Sequence, residues 1–202
     1  MKRGVLIAFE GIDGTGKSTQ LPMLADFLRE KNLPVLTTRE PTDGPYGQRI
    51  RALYRDRSQA TPEQELELFL QDRRQHVDQV IAPALAAGKI VLTDRYYFST
   101  AAYQGAAGCD PSKIFARHDF APEPDLVVLL TQTPTDSLAR IRDKRGEIPN
   151  DFEQQDQLEK VAALFASFDH GCIVRIHAVR AIAEVHEDIR AAVLSLLAQK
   201  GV

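Results

Sequence analysis

G-I-D-G-T-G-K-S-T, residues Gly11 to Thr19, follows a short apolar run, Val5 to Phe9, and leads into a stretch with apolar residues at Leu21, Leu24, Ala25 and Leu28. The run reads as a buried strand, and the spacing after the string reads as one face of a helix. Between them every position of the pattern G-x-x-x-x-G-K-[ST] is filled, with Thr15 inside the wrap. Gly11, Gly14 and Gly16 let the backbone turn its N–H groups inward, and a helix beginning near Lys17 adds the positive end of its dipole. The segment is therefore an anion cradle. Lys17 is placed to reach the β- and γ-phosphates of a nucleoside triphosphate as a point charge, and the Ser18 hydroxyl to ligate the magnesium that bridges them, with Thr19 secondary. A glycine-rich turn that merely matches is the plainer reading, and the strand before and helix after it speak against that.

Outward from the cradle, four more short apolar runs read as buried strands: Val35 to Thr38, Ile90 to Thr93, Leu126 to Leu130 and Ile173 to Ile176. Helical patterns alternate with them. One runs through Leu66, Phe69, Leu70, Val77, Val80 and Ile81, and the last, Ala181 to Leu197, aligns Ile182, Val185, Ile189, Val193 and Leu196. Alternating strand and helix predicts an α/β fold: a five-stranded parallel sheet with helices on both faces and ligands at the carboxyl ends of the strands. No repeat or linker divides the chain, so residues 1–202 are expected to form a single domain. Lys144 to Asp151 carries charges, Gly146 and Pro149 but little apolar content, and is the best candidate for a mobile loop between helices.

Composition narrows the partners. Lys plus Arg total 25 against 28 Asp plus Glu, a net charge of −3, which gives no global reason to expect nucleic acid or an anionic membrane. Only Cys109 and Cys172 are present, in no ligand-like spacing, which fits a reducing cytoplasm and argues against a zinc site or a disulfide framework. No apolar run approaches membrane-spanning length and no signal core precedes the first strand, so a soluble cytoplasmic protein is expected.

A GTPase would carry N-K-x-D for base reading, and none is present. The third strand ends in Asp94, followed by Arg95 and Tyr96. An aspartate at a buried strand end beside the cradle is placed to hold magnesium, directly or through water, and the adjacent arginine to grip a second phosphate. Small size with two phosphate-gripping groups favours a kinase of small molecules.

The strings F-E-G-I-D-G-T-G-K-S-T, T-R-E-P and D-R-Y-Y-F-S-T-A-A-Y-Q-G, in this order, resemble the thymidylate kinase family, from about Leu6 to Gly105 and more weakly beyond. The resemblance implies the three-layer P-loop NTPase fold, phosphorylation of dTMP to dTDP by ATP with Mg2+ as a step of dTTP biosynthesis, and a homodimer. It implies that Asp13 approaches the sugar and phosphate end of dTMP; filler within the loop is the plainer role. It places Arg39 and Pro41 of T-R-E-P at the substrate and Arg51 as a clamp on its phosphate, against a surface ion pair. Phe69 would stack on thymine with Arg73 one turn on, while the periodicity equally allows Phe69 a place in the core. Arg95 would hold the dTMP phosphate, and Ser99, Tyr103 and Gln104 would line the base pocket.

In this family a lid closes over ATP, here residues 142–152 approximately. Gly14 stands where some members place an arginine, so the transition-state charge needs another donor. Arg140, Arg142, Lys144 and Arg145 precede Gly146 and resemble a lid with catalytic arginines, Arg142 or Arg145 at the transferred group and Arg140 on adenine. A solvated basic helix end is the alternative. The chain departs from the family at Thr42, Asp43 and Gly44, along Leu158 to Phe168, and at His177, which is assigned no role. These departures keep two other readings open: a kinase for another nucleotide or nucleoside, and a nucleotide-binding scaffold without turnover.

Overall fold

The computed structural model describes residues 3–54, 59–145 and 151–201, with the backbone alone at 141–145 and 151–154. Of the segment expected as the lid, residues 146–150 fall outside the described residues, whereas 142–145 and 151–152 are helical, so the loop expected from Lys144 to Asp151 is shorter than its sequence suggests; the side chains of Arg142, Lys144 and Arg145 also fall outside. The strands are β1 (Val5–Glu10), β2 (Val35–Arg39), β3 (Ile90–Asp94), β4 (Leu126–Thr131) and β5 (Ile173–His177). Each begins where its apolar run begins and ends one residue beyond it, at a polar side chain.

All pairings are parallel, in the order β2-β3-β1-β4-β5. Alternation along each strand feeds two cores. Leu6, Ala8, Val91, Val127 and Leu129 pack under α3 (Pro62–His76), α4 (Ala82–Ala86), α5 (Tyr97–Ala106), α6 (Pro111–Ala116) and α8 (Asp151–Ser167). Val5, Ile7, Phe9, Leu92, Val128 and Leu130 pack under α1 (Lys17–Glu30) and α9 (Ile182–Lys200). Helices thus lie on both faces, as the P-loop fold requires. The remaining helices are α2 (Pro45–Leu53), which packs on α3, and α7 (Pro134–Arg145).

Two periodic stripes differ from expectation. In α9 the buried stripe is Val185, Ile189, Val193 and Leu197, while Ile182 is 58% exposed in the first turn. After α3 the chain makes a π-helical turn, Val77–Ile81, whose wider winding brings Val77 and Ile81 into the core and leaves Val80 at the wall of a cleft. Phe69 is half-buried against Ile50, Leu53 and Leu68 rather than part of the main core.

Candidate active site

The register aligns Phe9 and Arg39 with Asp94, so β1, β2 and β3 end together, and the loop after β1 opens at that edge. Gly11, Gly14 and Gly16 all have positive φ, 131°, 83° and 95°. At Gly11 a Cβ would lie 2.3 Å from the Leu130 carbonyl oxygen, so β4 itself enforces the glycine. Lys17, 6% exposed, donates from Nζ to the carbonyls of Gly11 at 2.8 Å and Ile12 at 2.9 Å, and Thr15 donates to Ile12 at 2.9 Å. Burial first and Arg95 second lower the Lys17 ammonium to about 8.

Arg95 leaves β3 in the left-handed region, φ 71°, anchored by its N–H to Phe9 and by its carbonyl, which accepts from Thr93. Its guanidinium donates to Asp13 at 2.8 Å, to Ser99 at 2.8 Å and, at 3.4 Å, to the Tyr103 hydroxyl, which itself donates to Asp13 at 3.3 Å. Four of the expected substrate residues are therefore joined into one cluster with the phosphate loop. Arg95 holds the Asp13 carboxyl down at about 2.

A cleft of about 670 Å³ adjoins this cluster, lined by Ser18, Arg39, Thr42, Asp43, His76 and Asp94 among others. The Asp94 Oδ1 is buried without a hydrogen-bond partner, a free anionic acceptor in the same cleft as the Ser18 hydroxyl. One hydroxyl and one carboxylate suit Mg2+, which keeps water and phosphate oxygens for its other positions. Among the described residues no cluster of three His, Cys, Asp or Glu forms a ready-made metal cage.

The T-R-E-P turn, with a cis Glu40–Pro41 bond, is fixed from α3 by Asp72, which accepts from the Thr42 N–H and hydroxyl. Asp43, one of the departures, accepts from both Arg39 and Arg51 at 2.8 and 3.2 Å, and Arg51 also donates to the Pro41 carbonyl at 3.0 Å. The two arginines expected at the substrate are thus brought together, by a residue to which the sequence assigned no role. These pairs are exposed, Arg39 to 64%, and add little stability.

Arg73 departs from expectation in its surroundings. It is 1% exposed and donates from Nε and Nη2 to Glu40, from Nη2 to Thr100 and from Nη1 to His118. Glu40 also accepts from His76. Burial raises the Glu40 carboxyl, but Arg73 and His76 outweigh it and the net direction is down. Phe69 and Arg73 share a helix but not an environment: one half-exposed, the other walled in by an ionic network. Arg140 donates to Gln132 and to the Ala178 carbonyl, both at 2.9 Å, beside the ends of β4 and β5. Gln104 is 3% exposed with its Oε1 unpartnered, an acceptor left free.

Glu10 was legible only as part of a string. It is fully buried, which pushes its carboxyl up to about 7, against the lowering by Ser99, Arg95 and Tyr96. The unfolded carboxyl loses its proton near 4.5 and the folded one near 7, so this contribution to stability is whole below about pH 4.5 and lost as pH rises through about 7. His118 opposes it: burial and Arg73 lower it from 6.5 to about 3, so its contribution is present above pH 6.5 and lost on acidification. Glu10→Gln removes only the first slope. The stability of the parent relative to the variant should fall by roughly 3 kcal/mol across that window, about 1.4 per pH unit, in urea unfolding at stepped pH. A difference that stays flat would refute the assignment.

Comparison with known proteins gives the family. The family model described as thymidylate kinase matches residues 9–189. A thymidylate kinase of Desulfotalea psychrophila is 55% identical over 194 residues, covering 96% of each chain. Those of Xanthomonas campestris (strain B100) and Xanthomonas euvesicatoria are 49% and 43% identical, covering 81% and 96% of this chain and 71% and 94% of theirs.

Proposed function

The chain belongs to the thymidylate kinase family, and from that membership we propose that it transfers the γ-phosphoryl group of ATP to dTMP, giving dTDP and ADP. The observation that carries the reading is the 2.8 Å ion pair between Asp13 of the phosphate loop and Arg95. It sets a loop suited to the donor phosphates directly against an arginine suited to the acceptor phosphate. A dTMP phosphate oxygen attacks the γ-phosphorus in line. A P–O bond forms there, the β,γ-bridging bond breaks, and its electron pair leaves with ADP. The nucleophile is already ionised, so no general base is needed.

In this reading the N–H groups of Gly11 to Thr19 wrap the donor phosphates and Lys17 neutralises them. Arg95, Arg39 and Arg51 hold dTMP by its phosphate, Asp13 meets its sugar and phosphate end, and Phe69, Arg73, Ser99, Tyr103 and Gln104 form the base side. Arg140 borders adenine, and Arg142 or Arg145 serves the transferred group. The Ser18 hydroxyl and the Asp94 carboxylate would hold Mg2+, which would supply positive charge to the donor phosphates. Asp94→Asn should raise the magnesium half-saturation about 10-fold in a kinetic titration and leave the dTMP KM near its parental value. Unchanged magnesium dependence would remove the metal role.

An ADP-release assay with ATP across dTMP, dUMP, dCMP, dGMP and thymidine tests the reaction, with dTMP expected as the preferred acceptor. Equal or greater turnover of another acceptor would overturn it. The family supports one kinase domain over residues 1–202, a homodimer and a cytoplasmic setting; light scattering at assay concentrations tests the dimer. No described helix is long and apolar enough to cross a membrane.

A further inference from the structure

α5 begins with no cap from its own sequence: its N-cap residue, Tyr96, has no side-chain hydrogen bond to the first turn. The missing acceptor comes from the end of β1. Glu10 Oε1 accepts from the N–H groups of Tyr96 at 2.9 Å and Ser99 at 3.1 Å, the N-cap and third helical positions; the Ser99 N–H is shared with the Tyr96 carbonyl, also at 3.1 Å. Its other oxygen accepts from the Ser99 hydroxyl at 2.5 Å. A hydroxyl has one proton and two lone pairs, so with its proton committed to the Glu10 carboxylate, the ionised form, Ser99 Oγ must present a lone pair elsewhere. That lone pair takes Nη1–H of Arg95 at 2.8 Å, and the opposite nitrogen of the same guanidinium reaches Asp13 at 2.8 Å.

We infer that Glu10 is a positioning residue for the acceptor phosphate: a tertiary cap that orients the Ser99 hydroxyl and, through it, aims the guanidinium of Arg95. The inference rests on the reading above, in which Arg95 holds the dTMP phosphate. Two features need such a device. Arg95 has φ 71°, a conformation that a non-glycine residue keeps only where its surroundings over-determine it. The flexible arginine must also present its donors in one orientation before substrate arrives, or ordering it weakens binding. Glu10 is 0% exposed, so it touches no substrate itself and acts only through Ser99 and the first turn of α5.

Three substitutions separate positioning from bulk stability. Glu10→Gln keeps one carbonyl for the two N–H groups and offers an amide N–H to Ser99, so its dTMP KM should stay within about 3-fold of the parent. Glu10→Met keeps the volume and removes every acceptor. It should raise the dTMP KM about 10-fold or more while the ATP KM and the inhibition constant of thymidine, which has no phosphate, change less than about 3-fold. Should Glu10→Met fail to melt cooperatively, Glu10→Asp, a carboxylate one methylene too short, carries the same expectation. A parental dTMP KM in the folded variant, or an equal rise for dTMP, ATP and thymidine, overturns the inference. Arg95→Met is the control for the reading beneath it: if the parent phosphorylates dTMP and Arg95→Met does not weaken dTMP, that reading of Arg95 fails independently of Glu10. If Arg95→Met weakens dTMP and Glu10→Met does not, only the positioning role fails.

Discussion

Replacing Lys17 by alanine should reduce turnover roughly 10³-fold, the upper range for removing one preorganised charge donor from a phosphoryl-transfer site. The ammonium is not a free surface charge: it lies inside the loop, 6% exposed, on the Gly11 and Ile12 carbonyls. Alanine therefore removes these two internal hydrogen bonds, and a longer one to the Thr15 hydroxyl at 3.5 Å, as well as the charge, and some lowering of Tm, worth about 1–2 kcal/mol, accompanies the lost activity. Burial of the side chain is what makes the fold feel the change. Lys17→Met keeps more of the stem, and its turnover should fall as far as that of alanine with a smaller change in Tm. Near-parental turnover in either variant, measured on folded protein with saturating dTMP, would remove the phosphate role from this loop.

The second large effect belongs to α7. With glycine at position 14, where φ is 83°, the loop supplies no arginine to the transferred group, and that backbone conformation is one that an arginine side chain would strain. Charge spreading over the γ-phosphoryl as it leaves still needs a donor. Arg140 is committed to Gln132 and the Ala178 carbonyl, which leaves Arg142 and Arg145 as the donors that the sequence offers. One of Arg142→Ala and Arg145→Ala should lose roughly 10²-fold in turnover while ATP affinity changes far less, because the contact forms only in the transition state. Parental turnover in both would leave the transition state without a donor from this helix and return the basic run to a solvated helix end.

Much of the architecture was legible because it is local. Strand starts matched at all five runs, although only β1, β3 and β4 are buried on both faces; β2 and β5, at the edges of the sheet, are half-buried or exposed at most positions. The cradle was legible for the same reason: glycines, lysine and serine act within nine consecutive residues, through backbone turns that neighbours impose on one another. The amphipathic stripes were read well in the middle of helices and poorly at their ends. Ile182 has the right spacing but stands exposed in the first turn of α9.

The sequence alone determined this protein's order of strands and helices, its phosphate loop and the strand-end Asp94 and Arg95, because each depends on side-chain type at short, fixed spacing. Only the tertiary structure decided what the buried ionisable groups do. Glu10 caps a helix that begins with residues 86 to 89 positions later, and Arg73 meets Glu40 and His118 at separations of 33 and 45. A carboxylate or guanidinium buried from water must find partners, and which partners it finds depends on how distant segments pack. No spacing along the chain records that. Asp43 is the local contrast at the surface: its two arginines lie only four and eight positions away, and of the two only Arg51 needs α2 to bring it back over Pro41.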